Sequence, residues 1–381
     1  MQVVDTEKIP IKMWLNYIED GALLQAKNLA NLPFAFRWIA IMPDAHQGYG
    51  MPIGGVLATT EGIIIPNAVG VDIGCGMIAA KTNLPSIDVD TIKTIMGKTR
   101  EVIPLGFLHN KEAQEWDGFD RAPDIEIIQR ELKSAREQLG TLGGGNHFIE
   151  IQQGSDGNVW LMIHSGSRNF GLKTAGIYNK KAQSLCKKWY STIPDKDLSF
   201  LPIDTIEGKE YYNAMKFCLD FARANRKLMM DRLVGIVQEE TGSAITDELD
   251  IHHNYAAFEH HYGKNVIIHR KGATKAQLGQ RGIIPGSMGT SSYIVSGLGN
   301  QESFESCSHG AGRRMGRKEA CRVLILEDEQ KKMGNIIHGL RQQNELDEAP
   351  GAYKDIDVVM ENQKDLVDIL VKLTPLASIK A

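Results

Sequence analysis

Glycine gathers beside histidine, cysteine and aspartate along this chain, and that pairing constrains its fold more than any other feature. The clusters are Gly48, Gly50, Gly54 and Gly55; Gly70, Gly74 and Gly76; Gly143 to Gly145; Gly166 and Gly171; Gly286 and Gly289; and Gly310 and Gly312. Glycine supplies 38 of 381 residues, about a tenth, where about 7% is ordinary. Lacking a Cβ, glycine lets the backbone adopt positive φ or pass close to a bound group. Repeated beside side chains that ligate or react, it predicts one large site assembled from many turns.

Between these clusters, short β-rich runs alternate with amphipathic segments. Strands are expected at 62–65, 77–81, 148–152, 159–164, 265–270 and 291–295, and helices at 125–139, 174–190, 211–240, 327–344 and 358–371. In the longest helix Met215, Leu219, Ala222, Leu228 and Val234 lie near one face, as core contact requires. No internal repeat, low-complexity tract or Pro/Ser/Gly linker cuts the chain, and only 191–204 is a polar stretch. The expectation is an α+β fold, a single compact domain over residues 1–381 with mixed β-sheets surrounded by helices, although the length would allow two domains.

Charge and cysteine usage exclude several classes. With 43 Lys+Arg against 47 Asp+Glu the formal charge is −4, which excludes a wholly basic, electrostatically driven nucleic-acid binder. No run of about 18 apolar residues occurs, and Met1 to Ile18 does not read as a signal peptide. A soluble, cytoplasmic protein with no membrane partner is expected. Five widely spread cysteines (Cys75, Cys186, Cys218, Cys307, Cys321) argue against a disulfide framework. Any cysteine with a role should act as a thiolate.

Four glycine-flanked segments carry metal-ligand chemistry. Asp72 and Cys75 are three apart in a turn, so carboxylate and thiolate can converge. His147 follows the glycine triple, His164 ends a strand, and His252 and His253 are adjacent, so that only one need be a ligand. Taken singly, each is more often a buried cysteine or a structural histidine. Together, one acid, one thiolate and three imidazoles form a mixed donor set suited to Mn2+, Fe2+, Co2+ or Zn2+ rather than Mg2+ or Ca2+. Five donors exceed one open catalytic site and suit two ions, with the thiolate able to bridge. A second constellation runs from Ser306 to Arg314, where His309 precedes Gly-Ala-Gly. Bare amides there can cradle phosphate, Arg313 or Arg314 can neutralise charge, and the imidazole can act as a nucleophile. The competing reading is a surface histidine before a turn. Pro285, Gly286, Ser287, Met288 and Ser292 add further amides and hydroxyls.

Taken jointly, the runs MPDAHQGYG (42–50), VGVDIGCG (69–76), GGGNHFIE (143–150), HSGSRNFG (164–171), HHNY (252–255), PGSMG (285–289), SHGAGR (308–313) and EAPGAYKDID (348–357) resemble the RtcB family. That family comprises GTP- and Mn2+-dependent RNA ligases. The likeness spans nearly the whole chain in the same order and ends on a penultimate lysine, Lys380. It implies a central dinuclear metal site in which Cys75 bridges two Mn2+ ions, one also held by His164 and His253, the other by Asp72 and His147. It implies His309 as the nucleophile that takes GMP from GTP. Nucleotide contacts would come from Asn146, Phe148, Glu150, Asn254, Pro285, Gly286, Ser287, Met288, Ser292, Gly310, Ala311, Gly312 and Lys380.

The resemblance further implies sealing of an RNA 3′-phosphate, or a 2′,3′-cyclic phosphate opened to it, onto a 5′-hydroxyl in tRNA splicing or RNA repair, with an archease-like activator as a candidate partner. Alternatives are a guanylyltransferase that caps 3′-phosphate ends and a catalytically silent RNA-binding scaffold. RNA phosphates need local positive patches on a chain of net −4. The candidates are His269, Arg270 and Lys271 with Lys275 and Arg281, then Arg313, Arg314, Arg317 and Lys318, with Arg168 near the metals. Asp44, in the first run together with His46, is expected near the metals or the RNA end. The segment 83–140, with Phe107, Leu108, His109, Trp116 and Asp117, matches no RNA-binding insertion.

Overall fold

A computed structural model describes residues 1–60 and 62–381. The strand Gly76–Thr82 shows how the sequence builds the core, because Met77 to Ala80 are buried on both faces. Such a strand reads as a continuous apolar run rather than an alternation. It is the second of seven antiparallel strands, ordered Ile245–His252, Gly76–Thr82, Val159–Ser165, Phe148–Gly154, Val367–Ile379, Ser292–Gly297 and Arg281–Ile284. Ile78, Ala80, Leu161 and Ile163 pack on the helices Val89–Val102 and Ile206–Thr241. Met77, Ala79, Trp160 and Met162 fill the opposite face.

A six-stranded sheet lies beside it in the order Gln2–Val4, Ile11–Met13, Ala35–Tyr49, Met51–Thr59, Lys264–Lys271 and Asn254–His261. One parallel pair, Ile11–Met13 with Ala35–Tyr49, makes this sheet mixed. Helix Asp20–Ala30 covers Ile39, Ile41 and Leu57. The other face, through Trp38, Ala40 and Met42, meets Tyr293 and Val295 of the first sheet. A short ribbon pairs Ala273–Lys275 with Ser306–Ser308. The α+β expectation, mixed sheets with helices packed about them, therefore holds.

Three expected helices are present, as Glu126–Gln138, Arg168–Lys188 and Ile206–Thr241. Two are corrected. The helix expected at 327–344 is Leu326–Met333 and stops because Gly334 takes φ 53° and ψ −121°, a conformation in which a Cβ is strained. The helix expected at 358–371 is a short one, Ile356–Glu361, followed by the strand Val367–Ile379. That strand is bonded on both sides, to Ser292–Gly297 and to Phe148–Gly154, and this ladder overrides a local pattern that suits a helix equally well. Among the described residues no helix is long and apolar enough to cross a membrane.

Candidate functional site

Sheet register explains why residues far apart in sequence meet. Cys75, His147 and His253 each stand one residue outside a strand of the seven-stranded sheet, and His164 is the penultimate residue of a fourth. Gly76 pairs with both Ser165 and His252, and His164 pairs with Phe148. Four strand ends therefore lie side by side with their polar residues on one rim. The His253 amide donates to the Cys75 carbonyl at 2.9 Å, and the Cys75 amide to that of Asp72 at 3.1 Å, closing the turn that brings the carboxylate in.

All five expected donors converge. Cys75 Sγ lies 3.5 Å from His147 Nε2 and 3.2 Å from His164 Nε2; His147 Nε2 is 3.1 Å from Asp72 Oδ2, and His164 Nε2 3.3 Å from His253 Nε2. His147 Nδ1 donates to Leu142 O and His164 Nδ1 to Asn146 O, both at 3.0 Å. Each bond fixes the tautomer that leaves an Nε2 lone pair facing inward. Asp72 Oδ1 and His253 Nδ1 are buried without a hydrogen-bond partner among the described residues. Two donors about 2.0–2.3 Å from a common cation stand roughly 3.0–3.6 Å apart at ordinary coordination angles, and the observed separations fall in that range.

The electrostatics agree with a cation site. Burial, then the Asp72 carboxylate, pushes the Cys75 thiol well up. Burial first, then neighbouring imidazoles, holds His164 and His253 well below the usual histidine range. Neutral imidazoles are ready ligands, and a buried thiol ionises once a cation binds it.

Two residues that sequence reasoning missed hold this rim in place. Arg226 and Asn225 lie on helix Ile206–Thr241 among its buried positions. Arg226 Nη1 donates to Gly74 O at 2.9 Å and Ser165 O at 3.0 Å, while Nε and Nη2 grip Asp250 at 2.9 and 2.7 Å. Asn225 Oδ1 accepts from the amides of Gly140 and Thr141, and Nδ2 donates to Gly166 O. One helix thus anchors the backbone beside Cys75, His164 and the loop before His147. A signal existed, since Asn225 and Arg226 fall in phase with the apolar stripe through Ala222 and Met229, where an unpaired polar group is costly. Gly143 matters for a related reason. At φ +89°, a Cβ on it would stand 2.0 Å from Arg168 Nη1 and 2.7 Å from His147 Nδ1.

His309 leaves the ribbon strand Ser306–Ser308, whose partner begins at Ala273, and the Ala273 amide donates to His253 O at 3.2 Å. Its ring centroid is thereby 4.8 Å from that of His253. Asp44, fully buried, takes a 2.6 Å contact from His309 Nδ1 and a 3.0 Å bond from its amide through the same Oδ2. Asp44 therefore serves the imidazole directly, a pairing that its position in the first run did not reveal. Lys354 Nζ donates to Pro43 O and Ala45 O, and His46, held down to about 4 chiefly by burial, bonds Asp44 O. With Nδ1 committed to a carboxylate, Nε2 is the lone-pair nitrogen of a ring that is 14% exposed.

The expected nucleotide residues divide. Glu150, pushed up to about 7 by burial, accepts from Gln152 Nε2, which also donates to Ser292 Oγ. Gly286 N donates to Ser292 Oγ at 3.2 Å, and Ala311 N donates to Pro285 O at 3.0 Å, so the 285–292 and 310–312 segments are tied together. Ser287 Oγ bonds Thr290 Oγ1, and Met288 is buried. Phe148 packs edge-on against His164, Asn146 lends its carbonyl to that histidine, and Lys380 Nζ lies 3.4 Å from buried Glu348. Asn254 spends its side chain on Asp72 O and the Gly272 amide and acts as a backbone joint.

One expected RNA-facing patch is not a surface. His269, Arg270 and Lys271 are buried: Arg270 is paired with Glu259 at 2.6 Å, and Lys271 donates to Tyr49 O and Met51 O. Arg281 is engaged by Asp247. In the second patch Arg313 pairs with Glu348 and Arg314 bonds Gly351 O, yet Arg314, Arg317 and Lys318 are exposed, with Arg317 also reaching Glu348 at 3.2 Å.

The family model described as tRNA-splicing ligase RtcB matches residues 25–381. The RNA-splicing ligase RtcB of Escherichia coli (strain K12) is 37% identical over 406 aligned residues, which cover 100% of this chain and 99% of that protein. The tRNA-splicing ligase RtcB of Pyrobaculum aerophilum is 31% identical, covering 98% of this chain and 95% of its own length. That of Thermococcus kodakarensis is 32% identical, with 95% and 91% covered. Extended over full lengths, and carried by a chain whose separated motifs fold onto one rim, this likeness means that the chain belongs to the RtcB family.

Proposed function

We propose that this chain is a GTP- and Mn2+-dependent RNA ligase, with residues 1–381 acting as one cytoplasmic catalytic domain. It joins an RNA 3′-phosphate, or a 2′,3′-cyclic phosphate opened to it, to a 5′-hydroxyl in tRNA splicing or RNA repair, with an archease-like protein as a candidate activator. The observation that carries this reading is the convergence of a five-donor rim with the Asp44–His309 pair. The names of its relatives as splicing ligases support it.

Asp72 and His147 would hold one divalent ion, His164 and His253 the second, and Cys75 both. When bound, the ions offset the triphosphate charge and stabilise charge developing at the α-phosphoryl group. The chain supplies the nucleophile. His309 Nε2 attacks the α-phosphorus, the N–P bond forms as the bond to the bridging oxygen breaks, and pyrophosphate leaves. Asp44 keeps the hydrogen on Nδ1 and balances the positive charge that the ring acquires. An RNA 3′-phosphate oxygen then attacks the same phosphorus, which frees the imidazole and leaves guanylate joined to the RNA end as an anhydride. The 5′-hydroxyl oxygen attacks the RNA phosphorus, loses its proton, and GMP departs. Asn146, Phe148, Glu150, Asn254, the 285–288 loop, Ser292, Gly310 to Gly312 and Lys380 would surround the guanosine, directly or by shaping the pocket wall.

The test supplies purified protein with GTP, MnCl2 and two RNA oligonucleotides, one ending in 3′-phosphate and the other beginning with 5′-hydroxyl. Sealed product that disappears with His309→Ala is expected. RNA that carries guanylate but is never sealed would make the protein an end-capping enzyme, and RNA bound without any guanylate transfer would make it a scaffold.

A further inference from the structure

Phe107 is wholly exposed, at 102% of its reference surface, and its neighbour Leu108 is 67% exposed. Their turn is nevertheless firmly held at its base. Gly106 N donates to Gly143 O at 3.3 Å, Arg168 Nη2 donates to Gly106 O at 2.7 Å, Leu142 N to Pro104 O at 3.0 Å, and Asn110 N to Glu137 O at 2.9 Å. Two apolar side chains in water are thus fastened to the backbone loop that presents His147. The same loop carries a positive corner. The Arg317 guanidinium lies within 2.8 Å of where a Cβ of Gly145 would stand, and the side chain is 52% exposed. Arg313, Arg317 and Lys380 together face the carboxylate of Glu348, and of the three Arg317 is the one that is more than half exposed. Ala381, next to Lys380, approaches Gly106 to within 3.4 Å of its would-be Cβ.

Burying an aromatic on a pre-ordered turn is favourable once a flat partner arrives, because no loop has to be ordered first. The size of the patch indicates which partner. A stable protein interface covers about 800 Å² per side, far more than one phenylalanine and one leucine offer, whereas one or two nucleobases stack on a surface of this size. The adjacent arginine suits the phosphates that accompany those bases.

We propose that the Phe107–Leu108 turn is a stacking platform for bases of the RNA strand at the lip of the site, with Arg317 contacting its backbone. This inference rests on the RNA-ligase reading. Phe107 then acts as a positioning residue that sets affinity for the RNA end and takes no part in bond making.

The experiment compares wild type, Phe107→Ala and Phe107→Tyr, each with Mn2+ and GTP, ligating RNA whose terminal nucleotides are either intact or abasic. Phe107→Ala is expected to raise KM for intact RNA about tenfold (roughly 5- to 150-fold for one lost base stack) with kcat retained, Phe107→Tyr to restore it, and abasic RNA to abolish the difference. A fluorescent adenine analogue at the RNA terminus should be quenched by wild type and not by Phe107→Ala, and this reads the platform even if no RNA is sealed. Failure of wild type to seal any RNA would overturn the ligase reading, whereas an unchanged KM and unchanged quenching in Phe107→Ala would overturn the platform alone. Self-association of wild type that Phe107→Ala abolishes, at unchanged KM, would assign the turn to a protein contact and refute the proposal.

Discussion

Replacing Arg226 with methionine keeps most of the side-chain volume and removes the clamp behind the metal rim. Arg226 has no exposed surface and its partner Asp250 is only 15% exposed, so the pair sits in a poorly screened interior. Taking one partner from a buried pair costs about 3–5 kcal/mol, because the other charge loses its main counter-ion; only Arg223, 3.7 Å from Asp250 and 61% exposed, would remain. The carbonyls of Gly74 and Ser165 lose a donor at the same time, which keeps the cost from falling below that range. For a chain of 381 residues the unfolding entropy near the midpoint is about 0.8 kcal/mol/K, so the midpoint should fall by about 4–6 °C in thermal unfolding followed by circular dichroism. Asp250→Asn added to Arg226→Met should recover part of this, since it removes the stranded charge. The same clamp holds the backbone on either side of Cys75 and His164, so metal affinity by titration calorimetry should drop about 10- to 100-fold. A variant within about 1 kcal/mol of wild type that binds metal normally would show that the rim does not depend on this helix.

Asp44→Asn should slow guanylate transfer to His309 by on the order of a thousandfold, because an amide can hold the wrong tautomer and cannot balance the imidazolium; a loss under about tenfold, measured by label incorporation, would count against a supporting carboxylate. Gly143→Ala should displace His147 through the clash with its ring and with Arg168, and elemental analysis should then find less than the wild-type metal content. His269 offers a pH test. Its Nε2 accepts from Ile65 N at 3.0 Å and its Nδ1 faces Leu57 O, and burial holds it down to about 4 against 6.5 unfolded. The unfolded chain therefore binds more protons between these values, so stability rises with pH through the window and is lost as pH falls from about 6.5 to 4, by up to about 3 kcal/mol from this group. His269→Gln should flatten that part of the stability curve, and an undiminished slope in urea titrations would assign the acid loss to other groups.

The ligand rim was legible because each donor announces itself twice, as a His, Cys or Asp and as a neighbour of glycine. The pairing of strand ends brings those signals together, and Arg226 and Asn225 brace the backbone behind them. Asp44 was less legible, since a carboxylate two residues from His46 gives no hint that it serves His309, 265 positions away. Asn225 and Arg226 were hidden inside an amphipathic helix, where attention goes to the apolar positions and a buried polar pair is easily passed over. The basic run His269 to Lys271 misled for the converse reason. Charge counted along a sequence does not register that the strand Lys264–Lys271 is interior to a sheet, with Arg270 ion-paired to Glu259 of the neighbouring strand. Val367–Ile379 was misread because its pairing with Ser292–Gly297 shifts register between Val371 and Ile369, and the extra residue Leu370 breaks the period-two alternation of a strand.

The proposed ligase depends on His309 Nε2 carrying guanylate beside a divalent-metal rim. It is tested most directly by incubating the metal-loaded protein with GTP, digesting at alkaline pH, where an N–P bond survives, and mapping the modified peptide by mass spectrometry. One guanylate is expected on the peptide containing His309, dependent on added metal and absent from Cys75→Ala. Guanylate on Lys354 or Lys380 instead, or on His309 in the complete absence of divalent metal, would contradict it.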